Sequence, residues 1–321
     1  MRVFVTGASG FVGGAAVKKL RASGHDVRAM SRSEKSDAKI RGLGAEPVRC
    51  DLEDVTAAHI GDADAIVHCA AFVEQWGPRD AWYKFNVEGT KNVVRAALKA
   101  GASRFVHIST ESVLWRGQHL RGVDETYPLA PKSPYPYAAT KAQAELALRG
   151  AQDIDVIILR PRFVWGPGDT TLLPVIIEMA KSGKWSWVNG GRCMTSTTHI
   201  DNLSHAIELA LTKGRPGQAY FILDDGVRPM RDMITGMAAS QGVTLPDNSL
   251  PAWFADFVGA TCETLWTVLP FKGEPPLTRF SAMILSRDAV LKGDKARAEM
   301  GYQPVISVED GMKQLVAQVP G

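Results

Sequence analysis

Val3-Phe4-Val5-Thr6-Gly7-Ala8-Ser9-Gly10-Phe11-Val12-Gly13 decides the fold. An apolar β-type run feeds directly into glycines at 7, 10 and 13, and a helical pattern with Ala16, Val17 and Leu20 follows. Strand, glycine turn and helix in this register form the context of a dinucleotide fingerprint. Gly7 permits the tight turn, Gly10 lets the backbone approach a pyrophosphate, and Gly13 lets the helix pack closely on the strand. The helix N-terminus then turns free N–H groups and its positive dipole end toward the phosphates. An ordinary glycine-rich turn is the competing reading; the unbroken strand and helix on either side favour the nucleotide.

Working outward, strands are expected at 2–6, 26–31, 46–50, 64–68, 104–108 and 154–160. Helical patterns fill the gaps, most clearly at 79–100 and 135–150. Such alternation predicts the α/β class, a Rossmann-type doubly wound parallel sheet covered on both faces. After Gly166, Pro and Gly become frequent and the apolar patches shorten. The expected division is a dinucleotide-binding domain at 1–165 and a smaller C-terminal substrate-binding or lid domain at 166–321. Segments around 195–225 are expected to return to the first domain.

The chain has 321 residues, 45% hydrophobic and 22% charged, enough for a sizeable core. A net charge of +3 with no dense basic block argues against nucleic acid. Cys50, Cys69, Cys193 and Cys262 lack paired or metal-ligand spacing, and the seven histidines form no metal motif. They read as reduced packing cysteines of a cytoplasmic protein. A first strand beginning at residue 2 predicts no signal peptide.

The end of the second strand bears on the cofactor. A carboxylate there would bond a ribose 2′-hydroxyl and favour NAD(H). Instead Asp26-Val27-Arg28-Ala29-Met30 runs into Ser31-Arg32-Ser33. A hydroxyl and a planar guanidinium suit a 2′-phosphate, so NADP(H) is expected over NAD(H).

Tyr137 and Lys141 lie four residues apart in a predicted helix and share a face. A Lys ammonium beside a phenol would lower its pKa and make Tyr137 a proton donor or acceptor near neutrality. His68, after an apolar strand, reads as a satisfied buried histidine. Asp201 or Asn202 is expected to cap the helix after His199. Arg160 is expected to brace the sheet, and Glu111 to be an exposed loop carboxylate.

In order and spacing, these segments resemble the extended short-chain dehydrogenase/reductases over nearly the whole chain. Thr6–Gly13 is similar to their nucleotide motif. The resemblance implies cofactor contacts at Gly7, Ser9, Gly10, Phe11 and Val12. Beside the Ser31 and Arg32 contacts read above, it implies contacts at Asp51 and Leu52 by the adenine, and at Ala70 and Ala71 after the fourth strand. Asn86-Val87-Glu88-Gly89-Thr90 resembles the family's Asn-containing helix. Tyr137 and Lys141 match its catalytic Tyr-x-x-x-Lys, with Lys141 also holding the nicotinamide ribose. Pro161 and Val164 fall in a segment like its Arg-Pro…Gly-Pro stretch, and His199-Ile200-Asp201-Asn202-Leu203 resembles a late Asp-Asn element. Ser109-Thr110 closes the fifth strand where the family places its hydroxyl; Thr110 is favoured for the substrate oxygen, with Ser109 the alternative. Hydride transfer with Tyr137 as proton donor or acceptor is the chemistry implied.

Family members acting on nucleotide sugars carry an Arg shortly before the late Asp-Asn element. Met194-Thr195-Ser196-Thr197-Thr198 has no cation, and Arg192 is displaced, which argues against an epimerase or dehydratase of such sugars. Residues 250–271 form a nearly apolar helical stretch with aromatics at 253, 254, 257 and 266. Asp256, Gly259 and Glu263 argue against a membrane span, leaving a lid, an interfacial membrane contact or a dimer interface. With Trp76, Trp82, Trp115 and Trp165 near the predicted active-site loops, a bulky hydrophobic ketone or secondary alcohol is expected. Pro276-Leu277-Thr278 and the stretch from Lys295 to Pro304 resemble the 3β-hydroxysteroid dehydrogenase-like and dihydroflavonol reductase-like branch. That implies steroid-like, aryl or β-keto lipid substrates. A homodimer through helices 79–100 and 135–150 is the family's usual form. A cofactor-binding protein without catalysis is the non-enzymatic alternative, disfavoured by the intact Thr110, Tyr137 and Lys141.

Overall fold

The computed structural model describes residues 1–269, 271 and 273–316. Seven parallel strands build the main sheet: β1 (Arg2–Thr6), β2 (Asp26–Ser31), β3 (Glu46–Arg49), β4 (Ala65–His68), β5 (Arg104–Ile108), β6 (Asp155–Pro161) and β7 (Ala219–Ile222). Across the sheet the order is β3-β2-β1-β4-β5-β6-β7. The winding reverses between β1 and β4, the kind of switch point at whose strand carboxyl ends doubly wound sheets hold their ligands. The glycine turn leaves β1 at that point.

Six helices matter below: α1 (Phe11–Ala22), α2 (Gly89–Ala100), α3 (Pro136–Arg149), α4 (Ile200–Thr212), α5 (Ala252–Val268) and α6 (Arg279–Ser286). On one sheet face α1 and α4 bury Val17, Leu20, Leu203 and Ile207 against Val3, Val5 and Val67. On the other, Val93 and Ala97 of α2 and Leu148 of α3 pack on Phe4, Ile66 and Phe105. Burial on both faces explains why β4 is apolar until its last residue, His68.

The stretch expected as one helix at 79–100 contains a π-helical turn at Tyr83–Glu88 before α2. Such wide turns often mark functional positions. Here it carries the buried Asn86, whose amide pairs with both backbone groups of Phe72 and donates to Thr140. It ties the loop after β4 to α3.

Strands Leu120–Val123, Ala289–Leu291, Met194–Thr195 and Arg228–Pro229 form a second, four-stranded sheet, while α4 and β7 return to the main body. Helix α5 packs on α6 where Gly259 allows close approach; a Cβ there would lie 3.0 Å from the Thr278 carbonyl oxygen. Asp256 pairs with Arg287 at 2.6 Å, and Glu263 accepts the Arg279 N–H. With both carboxylates so engaged, Trp253, Phe257 and Val268 stand exposed on the outer side. Pro270, within the apolar stretch noted above, and residues 317–321 lie outside the described residues. Among the described residues no helix is long and apolar enough to cross a membrane.

Candidate active site

The end of β5 sorts two neighbouring hydroxyls by the period of the strand. Ser109 Oγ donates to Glu145 Oε1 at 2.5 Å. Glu145 is fully buried and accepts two bonds from the equally buried Arg160, at 2.9 and 2.6 Å. Arg160 thus braces the sheet as expected, and Ser109 is committed to that brace. Thr110 turns its hydroxyl to Glu111 Oε2 at 2.9 Å and accepts the Ser112 N–H at 3.1 Å, on the side of Tyr137.

Glu111 corrects the sequence reading. It is 2% exposed, and its carboxylate accepts from Arg162 Nη1 at 2.6 Å, Thr110 Oγ1 at 2.9 Å, and Ser112 Oγ and Trp115 Nε1 at 3.3 Å. A buried guanidinium needs an acceptor, and a carboxylate is the matching one; Nη1 finds it in Glu111, while Nη2 has no partner among the described residues. The partner lies across the end of β6, so the residues around Glu111 could not reveal it.

Lys141 stands one turn along α3 from Tyr137. Its ammonium donates to the Ile108 carbonyl at 2.8 Å and lies 3.2 Å from His107 Nε2. Burial lowers its pKa to about 8, with Glu145 and Cys69 pulling the other way. The expectation that Lys141 lowers the Tyr137 pKa is corrected. Burial first, and the Glu111 carboxylate second, hold the phenol above its ordinary value, while the Thr110 hydroxyl opposes them. Behind Lys141, His107 stacks on His68 at 5.3 Å. His68 bonds Thr6 at 2.7 Å and Thr90 at 3.0 Å, and burial, with the Lys141 charge, lowers it to about 3. It is the satisfied buried histidine expected.

The glycine turn is shaped as a phosphate cradle. Gly7 has φ +70°, and a Cβ there would come within 2.8 Å of Ala70 N. A Cβ on Gly13 would lie 2.2 Å from Gly7 O, which enforces the helix–strand contact. Gly10 caps α1 without a side chain, and the first turn, with Phe11 and Val12, carries no acid. Lys39, which sequence reasoning missed, donates to Ser9 O at 2.6 Å and brings a cation to this rim. Ala70 N donates to Thr6 Oγ1, which sets the loop through Ala71. A pyrophosphate fits these residues.

At the β2 end Ser31 and Arg32 stand where a carboxylate would favour NAD(H), and a carboxylate reaches them from the next helix. Ser31 Oγ donates to Asp37 Oδ1 at 2.5 Å, and Arg49 pairs with the other oxygen. Arg32 is exposed beside them. Asp51 accepts the N–H groups of Glu53 and Asp54 within its own turn, while Leu52 packs against Gly89. Pro161 is buried at the end of β6, and Val164 pairs with Thr198.

Neither Asp201 nor Asn202 caps α4. The His199 side chain accepts from Asp201 N and is the cap. Asn202 instead bonds Asp224 and the backbone of Val305 and Ile306. Trp115 and Trp165 are buried and bonded to Glu111 and Asp224, so neither forms an open wall. The aromatic group that meets Tyr137 is Phe280 of α6, its ring centroid 6.1 Å away. A surface cleft of about 810 Å³ runs past Gly168, Asp169, Leu173 and Ile177, and Thr110, Tyr137 and Lys141 do not line it.

A profile of the NAD dependent epimerase/dehydratase family matches residues 3–222. The chain is 37% identical over 320 residues to a 4-hydroxy-2-methyl-3-oxo-4-farnesyl-3,4-dihydroquinoline-1-oxide ketoreductase of Stigmatella aurantiaca, covering 98% of this chain and 96% of that one. It is 38% identical to a 2-alkyl-3-oxoalkanoate reductase of Stenotrophomonas maltophilia (strain K279a), covering 99% of each. The crystal structure of gox2253 superposes with a TM-score of 0.80 at 28% identity, covering 98% of this chain and 96% of that one. The glycine cradle, the Tyr137–Lys141 helix and these likenesses agree: the chain belongs to the NAD dependent epimerase/dehydratase family, among the extended short-chain dehydrogenase/reductases, and is an NAD(P)-dependent ketone/alcohol oxidoreductase.

Proposed function

We propose that the chain interconverts a bulky hydrophobic ketone and its secondary alcohol with NADP(H). Thr110, Tyr137 and Lys141 are the groups that act. When bound, the cofactor supplies or accepts the hydride. Tyr137 gives its phenol proton to the carbonyl oxygen in reduction and takes it back in oxidation. Thr110 lies within reach of the same oxygen, and Lys141 serves the nicotinamide ribose. Lys39, at the phosphate turn, and the exposed Arg32 support a 2′-phosphate, although Asp37 adds a negative charge beside them.

The observation that carries the substrate class is the packing of Phe280 over Tyr137, on a helix joined to the apolar α5. An apolar wall at the reacting phenol suits an alkyl or ring-bearing ketone. Both relatives cited above are named for keto substrates with alkyl or farnesyl groups. Nucleotide sugars are disfavoured because Met194–Thr198 carries no cation and Arg192 is exposed. The test is NADPH oxidation with steroid, aryl and long-chain β-keto substrates. Turnover of at least one apolar ketone is expected. No turnover with any of them, together with binding of a nucleotide sugar, would reverse the assignment.

A further inference from the structure

By the period of the strand, His107 shares the face of β5 that carries Phe105. It pairs in register with His68 of β4 and Ile158 of β6. It is fully buried, and Phe105 and Ile158 belong to the apolar core of that face. An apolar side chain would fill this place without a polar atom to satisfy. The imidazole brings two, and Nδ1 has no partner among the described residues. Nε2 lies 3.2 Å from Lys141 Nζ. An ammonium only donates, so Nε2 is the bare nitrogen and the ring proton sits on Nδ1. The stacked His68 offers no such lone pair. Thr90 gives its proton to Asn86 O at 2.7 Å, so His68 Nε2 donates to Thr90 and His68 Nδ1 accepts from Thr6.

Lys141 has three N–H groups. The Ile108 carbonyl takes one at 2.8 Å and His107 Nε2 takes a second, while the third has no acceptor among the described residues. We propose that His107 is a positioning residue: its one lone pair, together with the Ile108 carbonyl, fixes the Lys141 ammonium and leaves its third N–H for the nicotinamide ribose of the bound cofactor. This rests on the role given to Lys141 above. A lysine side chain is long and rotamer-rich, and one acceptor alone would let its head swing. Two acceptors on adjacent residues at the end of β5 hold it, and β5 is itself paired on both sides by β4 and β6. Support of this kind, from a rigid element, is what an oriented group requires. The role also accounts for the orphan Nδ1, because a buried polar atom without a partner needs a reason. Keeping an acceptor for Lys141 in an apolar layer brings that second nitrogen with it.

The test is equilibrium binding of NADPH and of NADH, which share the nicotinamide ribose, followed by titration calorimetry. His107→Phe keeps a ring against His68 and removes the lone pair. It should weaken both cofactors by roughly tenfold. His107→Gln places an amide oxygen near the position of Nε2 and should bind within about threefold of the parent. His107→Asn is too short to reach Lys141 and should behave like His107→Phe, so the comparison with His107→Gln stands even if the Phe variant does not fold. In a Lys141→Met background, His107→Phe should cause no further loss, because the two residues act as one unit. Parent-like binding by the Phe and Asn variants, with a loss in Lys141→Met, overturns this inference alone. So does a loss in His107→Gln as large as in His107→Phe, or a further loss on top of Lys141→Met, since His107 would then be supporting the fold generally. Parent-like binding by Lys141→Met removes the ribose role of Lys141, and this inference with it.

Discussion

Glu145→Ala tests the brace beneath the reacting hydroxyls. Both Glu145 and Arg160 are 0% exposed, and the substitution removes a two-point ion pair together with the Ser109 contact. Arg160 is left charged in the core, where its Nη1 already lacks a partner. Breaking one side of a buried pair costs about 4 kcal/mol. With a melting entropy near ~2 cal/mol/K per residue, the midpoint should fall by roughly 6 °C. Calorimetry measures it. Glu145→Leu with Arg160→Met removes both charges and should recover all but about 1 kcal/mol, because replacing a buried pair as a unit is often neutral. A single variant melting within about 1 °C of the parent would refute the reasoning, since the pair would then contribute nothing. A double variant no more stable than the single one would also count against it.

Ser109→Ala should keep turnover within a few-fold of the parent while lowering stability by about 1 kcal/mol, whereas Thr110→Ala should lower kcat sharply. Equal kinetic losses would return Ser109 to the site. Arg32→Ala should weaken NADPH binding by roughly tenfold or more and leave NADH unchanged, as measured by cofactor fluorescence; an equal loss for both cofactors would contradict a 2′-phosphate contact. His68 has a folded pKa of about 3 against 6.5 unfolded, so the unfolded chain takes up the proton first as acid is added. Its contribution is therefore full above pH 6.5 and is lost as pH falls toward 3, by up to about 1.4 kcal/mol per unit. His68→Gln should flatten that acid limb in denaturant titrations; an unchanged slope would count against the buried neutral histidine.

Local spacing carried much of the fold. The expected strands 2–6, 26–31 and 104–108 coincide with β1, β2 and β5, and α3 falls within 135–150. Apolar period and glycine position are written in neighbouring residues, so they can be read without the fold. Groups whose roles depend on distant partners could not be read in that way. Glu111 looked exposed because Arg162, its counter-charge, is 51 residues away. Asp37 reaches Ser31 only after the intervening turn folds back. Phe280 meets Tyr137 from the far end of the chain, and no period marks it. Lys141 was placed on the correct face, but its ammonium found the Ile108 carbonyl and His107 rather than acting on the phenol.

The central claim is that Tyr137 exchanges the proton with the reacting oxygen. Tyr137→Phe keeps the ring against Phe280 and removes only the hydroxyl. Single-turnover reduction of an apolar ketone by this variant, with NADPH affinity measured in parallel, tests the claim most directly. The account predicts a loss of at least about 100-fold in the rate with cofactor affinity unchanged. A variant that reduces the ketone at the parent rate would contradict it.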